Sequence, residues 1–334
     1  MQPLAAILAS VLLAAAAMAD PGPSPAIIDA TCSVFAKTCA YPSHDYCVNV
    51  LSTSDPASAA SAKDERDLAI IPANATAHNV TRTVDLIDDL SHELARCSES
   101  YARDMGGKVA SALGDLVAGR KPGDKLLDAY NLGPSNCTLA VMLRWGYSKN
   151  LLAHENSANA ALVLLARNIA RLVPNSNRTA SPAAIMNSMC SSLLYNMYPG
   201  YDYCVGVLSS DDPAAAAAAR NTRDLAIIAA NATAHSITST VKLIGGLLSD
   251  LAECKVSYGR MGSTVDGALG DLVAGHDAPA GAASKLGDAA GDALSCDMVM
   301  SRRRGAAKNV LHQENWHNFV SARFASNIAF LEDY

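Results

Sequence analysis

Aromatic residues are scarce, at 5% of the 334 positions, and no clustered basic face is present. The first scarcity, set beside abundant alanine and few β-branched runs, argues against sheets and for helices. The second argues against nucleic acid as a partner. The 26 Lys and Arg are mixed with 32 Asp and Glu for a net charge of −6, whereas a nucleic-acid footprint gathers its basic residues on one face. Catalytic signatures are missing as well. There is no HExxH, GxSxG, P-loop or Gly-rich dinucleotide turn, so no nucleophile–base set, metal site or cofactor site is expected and the chain does not read as an enzyme. Past the N-terminus no apolar run is long enough for a membrane span.

What is present begins with MQPLAAILASVLLAAAAMAD. Leu4 to Ala17 is apolar and too short to cross a bilayer, and Ala17-Met18-Ala19 has the small-x-small form of a cleavage site. Residues 1–19 are expected to be a secretory signal peptide, although the segment has no Lys or Arg before its apolar run. Export permits disulfides. It also gives meaning to the Asn-x-Ser/Thr sequons at Asn74, Asn79, Asn136, Asn177 and Asn231. Asn136 is hindered by the adjacent Cys137, and Asn177 lies in the segment that reads as a linker.

The chain is a duplication. DLAIIPANATAH at 67–78 returns as DLAIIAANATAH at 224–235, an offset of 157. ALGDLVAG at 112–119 returns at 268–275, one residue short of that offset. Two copies are expected at 26–173 and 184–332, joined by the Pro- and polar-rich linker 174–183. The repeat sorts the nine cysteines. Cys32, Cys47, Cys97 and Cys137 have counterparts in Cys190, Cys204, Cys254 and Cys296, while Cys39 has none. Four cysteines allow three connectivities, and sequence proximity favours first with second and third with fourth. Each such bridge should constrain the unfolded chain by roughly 3–4 kcal/mol.

Apolar residues recur at three- and four-residue steps from Ile70 to Leu94 and from Ile227 to Leu251, the stripe of a long bundle helix. Asp55-Pro56 and Asp212-Pro213 have the form of its N-cap and first turn, and Pro72 is expected to kink it or remove one hydrogen bond. A separate second helix is expected over Cys97 to Ala118 and over Cys254 to Ala274, closed by Gly119 and Gly275. A last helix carries Leu165 and Ile169, or Phe324 and Ile328. The expectation is all-α: two tandem up-down four-helix bundles, each with a disulfide-stapled N-terminal helical hairpin.

Other polar residues have ordinary readings. His78 and His235 sit at the edge of the seam, and His154-Glu155 and His312-Gln313-Glu314 open the last helices as first-turn charges rather than as a metal site. Asp115 and Asp271 read as solvated helix-end aspartates, Ser301 to Gly305 (SRRRG) as a solvated turn, and the Ala/Gly-rich stretch 278–293 as a loop.

TCSVFAKTCAYPSHDYCVNVL, then DPASAASAKDERDLAII, then LARCSESY and a fourth cysteine, resembles the plant invertase and pectin methylesterase inhibitor domain. The second copy repeats the series as MCSSLLYNMYPGYDYCVGVL, DDPAAAAAARNTRDLAII, LAECKVSY and SC. The long first-to-second cysteine interval is similar to that of the invertase-inhibitor type. The resemblance covers nearly all of the chain after residue 25, twice. It implies a four-helix bundle with an N-terminal hairpin, the local disulfide pairing, and a secreted cell-wall (apoplast) or vacuolar inhibitor. Such an inhibitor would block the cleft of pectin methylesterase or acid invertase non-covalently. The Pro-Lys-Phe motif of invertase-type inhibitors is missing; the corresponding loop reads Gly119-Arg120-Lys121-Pro122-Gly123, so Arg120 and Lys121 are the candidate target contacts. The alternative is a structural or ligand-binding bundle that keeps the fold without inhibiting. An eight-cysteine lipid-transfer scaffold is excluded, since each copy has four shared cysteines and no Cys-Cys pair.

Cys39 generates a prediction. With eight cysteines paired, native secreted protein should show no fast-labelling thiol and denatured protein one per chain. Zero thiols after denaturation would mean that Cys39 is bridged.

Overall fold

The computed structural model describes residues 25–38, 43–138, 150–172, 181–192, 200–275, 279–304 and 309–331. All regular structure among them is helical, and no described helix is long and apolar enough to cross a membrane. The signal-peptide segment, Cys39 and Asn177 lie outside the described residues.

Helices α1 (Pro25–Thr38) and α2 (His44–Ser54) are bridged by Cys32–Cys47, with Cα atoms 5.6 Å apart. Asp55 then caps a helix. Its Oδ1 accepts the Ser58 N–H at 3.1 Å and Pro56 takes the first position. That helix, α3 (Pro56–Ser61), is only six residues long and is not the start of the long one. The chain extends at Ala62 and a second cap follows: Asp64 Oδ1 accepts from Asp67 N–H at 2.8 Å, while Asp67 Oδ2 accepts from Lys63 N–H at 2.8 Å. Only there does α4 (Glu65–Glu99) begin, and it runs through Pro72.

The turn expected before Cys97 does not form. α4 passes into a π-helical segment, Ser100–Met105, and on into α5 (Gly106–Val117), which ends at Gly119 with φ 77°. Next come α6 (Lys125–Tyr130), a second π segment (Asn131–Ser135) and α7 (Ala153–Arg171). The second copy has a hairpin of α8 (Pro182–Ser192) and α9 (Tyr201–Ser210), bridged by Cys190–Cys204, then the short α10 (Pro213–Ala218). Asn221 and Asp224 repeat the second cap. After it α11 (Thr222–Ala274) continues unbroken for 53 residues, followed by α12 (Pro279–Arg304) and α13 (His312–Leu331). From residue 279 on, the Ala/Gly-rich stretch read as a loop is therefore the first half of α12, because alanine is the best helix former and outweighs its scattered glycines.

The buried stripe explains the continuous helix. In α11 it runs Ala226, Ala230, Thr233, Ile237, Thr240, Ile244, Leu247, Leu251, Cys254, Tyr258, Met261, Val265, Ala268 and Leu272, alternating four- and three-residue steps. No break in period asks for a turn. The first copy keeps the same rhythm to Tyr101, but its next buried residue, Met105, comes four residues on where Met261 follows Tyr258 by three. That extra residue is held as the Ser100–Met105 π segment, a single wide turn that absorbs one residue without changing the buried face. The second π segment has the same origin. Twelve residues separate Lys125 from Cys137 and eleven separate Lys285 from Cys296. The two wide turns meet, and a Cβ added at Gly133 would lie 2.6 Å from Met105 Sδ.

The compact units do not coincide with the sequence copies. One unit joins residues up to 87 with residues from 253 onward; the other spans 88–252. The expected boundaries, 26–173 and 184–332, delimit repeats, whereas each unit takes the front half of one repeat and the back half of the other. In the first unit the Thr83 hydroxyl accepts from Asn318 Nδ2 at 3.0 Å, and the Tyr46 ring meets Phe324 edge-on at 6.2 Å. In the second unit Asn159 Nδ2 donates to Thr240 Oγ1 at 2.8 Å, and Arg223 donates to the Gly119 carbonyl at 3.3 Å. The physical reason is the unbroken helix: 65–117 cannot turn back on itself, so its second half is completed elsewhere.

The wide-turn contact yields a prediction. G133A places a methyl against Met105 and should cost roughly 1–3 kcal/mol, seen as a lower urea midpoint at an unchanged slope.

Candidate target-binding surface

The interior of each unit holds a polar chain that could be mistaken for catalytic machinery. Asn156 and Asn159 on α7, and Asn315 and Asn318 on α13, are nearly fully buried. The Tyr101 hydroxyl donates to Asn156 Oδ1 at 2.7 Å, and Asn156 Nδ2 donates to Thr138 Oγ1 at 2.7 Å. The Tyr258 hydroxyl donates to Asn315 Oδ1 at 2.8 Å and accepts from Asn318 Nδ2 at 3.2 Å. Asn315 Nδ2 reaches Asp297 Oδ1 at 3.2 Å, and His312 Nδ1 lies 3.0 Å from the same oxygen. Burial pushes both tyrosines far above their usual range, so they stay protonated donors. At its centre the chain consists of buried amides and neutral hydroxyls, an arrangement that fixes helix register. Sequence reasoning missed it because Asn-x-x-Asn on a helix looks like a polar face; the signal was its recurrence in both last helices.

The histidines and sequons are accounted for more simply. His78, His154, His235 and His312 are all exposed, and among the described residues no three metal-ligating side chains converge. Asn74 is exposed on α4, Asn79 and Asn231 are half-buried, and Asn136 is exposed. The threonines of two sequons are core residues: Thr76 and Thr233 are fully buried, donating to the Pro72 and Ala229 carbonyls at 2.7 Å each.

The candidate cations Arg120 and Lys121 follow α5. Gly119 turns the chain in the left-handed region, and Gly123 at φ 58° turns it again. Arg120 is paired locally, although its side chain stays 67% exposed. Its Nη2 and Nε donate to Asp115 Oδ1 at 2.8 and 3.0 Å, and Lys125 Nζ binds Asp115 Oδ2. Asp115 is thus no solvated aspartate: its side chain is 13% exposed and carries two cations. Lys125, then Arg120, hold its carboxyl below the usual carboxylate range. Lys121 remains exposed. In the other repeat Asp271 pairs with Lys285 at 2.7 Å, and residues 276–278, the counterpart of the cationic turn, lie outside the described residues.

A second surface was not anticipated. On α11 and α12, beside the Cys254–Cys296 bridge, Val256, Leu294 and Met298 are 63%, 39% and 68% exposed. Two ion pairs flank them: Glu253 with Arg302 at 3.2 Å and Arg260 with Asp292 at 2.8 Å. Arg302 belongs to the segment read as a solvated turn; it is the last turn of α12 instead. The counterparts of Glu253, Val256 and Arg260 are Arg96, Glu99 and Arg103, all charged, with Glu99 bound to Arg103 at 2.7 Å and Arg96 to Glu93 at 3.2 Å. Of these three α11 positions only one changes character, Val256 standing where the first repeat has Glu99. Val256, Leu294 and Met298 thus make an exposed apolar strip with ion pairs at its rim.

Residues 184–329 match the family model described as plant invertase/pectin methylesterase inhibitor. No curated protein matches the chain, and no solved structure does. The matched residues include Val256, Leu294 and Met298.

Asp115 provides a pH test. Its folded carboxyl titrates below the unfolded one, so its contribution is complete above the unfolded carboxylate range and is lost as pH falls through the folded value. Between pH 7 and pH 2 the urea midpoint of D115N should fall less steeply than that of the natural protein. Parallel curves would mean that the cluster does not stabilise the fold.

Proposed function

We propose that the protein is a secreted, non-catalytic inhibitor that docks on a cell-wall carbohydrate-active enzyme, pectin methylesterase or acid invertase, and occludes its substrate cleft. The observation that carries this reading is the family match over 184–329, with an exposed apolar strip inside the matched residues. The strip is suited to the task. Cys254–Cys296 and the Arg260–Asp292 pair hold α11 to α12 before any partner arrives, so little conformational freedom remains to be lost on binding. Met298, flexible and polarizable, moulds to an uneven cleft rim. Lys121 serves as an accessory cation toward an acidic target. The family's inhibitors are not enzymes, in keeping with a polar interior given over to register.

A second reading, a helical bundle that keeps the fold without inhibiting, is favoured by one observation: Arg120 is held by Asp115, and no Pro-Lys-Phe motif stands in its loop.

Titration of the purified chain into pectin methylesterase and, separately, acid invertase decides between them. One activity should be lost at micromolar excess, M298D should weaken inhibition at least about tenfold, as expected for a central apolar contact, and K121E should weaken it less. No loss of either activity would overturn the inhibitor reading.

A further inference from the structure

The seams that close the two units are chemically the same. Thr83 and Thr240 are counterparts, and so are Asn318 and Asn159; the units are closed by Thr83 with Asn318 and by Thr240 with Asn159. Arg66 lies against Gly275 in one unit as its counterpart Arg223 lies against Gly119 in the other. A Cβ at Gly262 would touch Val80, and one at Gly106 would touch Ile237, again counterparts. Each front half therefore presents a surface that fits either back half.

The passage between units falls within continuous helix, after residue 87 and after residue 252. At the first passage, and seven residues before the second, the sequence weakens the helix at equivalent positions of the two repeats: Asp88-Asp89 in α4 and Gly245-Gly246 in α11. A glycine lowers local helix population about fivefold relative to alanine, and aspartate favours turns. Packing does not require the first glycine, since a Cβ at Gly245 would meet nothing within 4 Å.

From these two observations we propose that the chain has a second closure. In it α4 and α11 bend at Asp88-Asp89 and Gly245-Gly246, and each back half folds onto its own front half. Thr83 then meets Asn159 and Thr240 meets Asn318, so every seam is remade with the same chemistry. The two closures differ in two helical turns and in little else. The protein is a two-state fold whose balance lies at those turns, and the inference stands whether or not the protein inhibits an enzyme.

Paired cysteines in the full chain test this in a glutathione buffer, with bridges located by peptide mapping. T83C/N318C reports the exchanged closure; T83C/N159C and T240C/N318C report the self-closed one. Each variant should form its new bridge. Adding G245A to T240C/N318C should lower that bridge's yield about fivefold, because alanine favours the straight helix. Bridging by one class of pair alone, or by neither, overturns the proposal, as does a yield indifferent to G245A. Because the cysteines replace buried residues, a second measurement leaves the cores intact. A protease site is inserted in the linker 174–183, cut, and the product sized under native conditions. Exchanged molecules keep their halves together and self-closed ones release them, so both fractions are expected; a single fraction of either kind refutes a second closure.

Discussion

A buried threonine facing a buried asparagine is the constraint on which the arrangement rests. Thr83 with Asn318, and Thr240 with Asn159, are polar pairs in otherwise apolar stripes. A buried amide without a partner costs about 1–3 kcal/mol, so helices that slip by one residue at these points lose more than packing. The asparagines also bind their own helix, through the Glu155 and Glu314 carbonyls at 2.9 Å each. The last helix of each unit is thereby locked in height and rotation against the long helix of the other repeat, and the tyrosine–asparagine chain extends the lock to Asp297 on α12 in one unit and to Thr138 in the other.

Against that lock, the extra residues of the first repeat had few places to go. An insertion in an α-helix rotates everything beyond it by about 100°, which would swing Val109, Ala112 and Leu116 out of the core. A wide turn at Ser100–Met105 takes up the residue and returns the stripe to phase. The neighbouring helical segment of the bundle does likewise at Asn131–Ser135, where Gly133 leaves room for Met105. Two insertions at matching heights, each made harmless by a wide turn, let the repeats diverge by a residue without disturbing the polar register.

Much of this was legible in the sequence. The duplication, the cysteine framework, the aspartate caps and the glycine stops stand at fixed offsets, and the all-helical composition follows from alanine. The wide turns were legible too, as offsets slipping from 157 to 156 after Tyr101 and from 160 to 159 before Cys137, but a slip in alignment does not say how the backbone absorbs it. Other features were hidden for definite physical reasons. Thr76, Thr83, Thr233 and Thr240 are core positions that a search for apolar residues skips, because a threonine hydroxyl satisfied by a carbonyl or amide buries as readily as valine. Asp115 and Arg120 pair across a helix end, where helical spacing no longer indicates which side chains meet. Which half closes on which cannot be read from two repeats that are alike at the seam: an identical interface carries no address.

The same likeness sharpens the functional argument. The repeats agree in the interior and differ on the outer face, where Val256, between Glu253 and Arg260, stands at the position of Glu99, between Arg96 and Arg103. A charged face tied up in Glu99–Arg103 and Glu93–Arg96 pairs remains well hydrated and costs desolvation energy on docking. An apolar face with its ion pairs at the rim gains by the same step. Because α11 and α12 of the second repeat carry that face together, it survives intact in either closure, whichever front half completes the unit behind it. Docking through the strip therefore predicts one target bound per chain, with the other unit acting as scaffold.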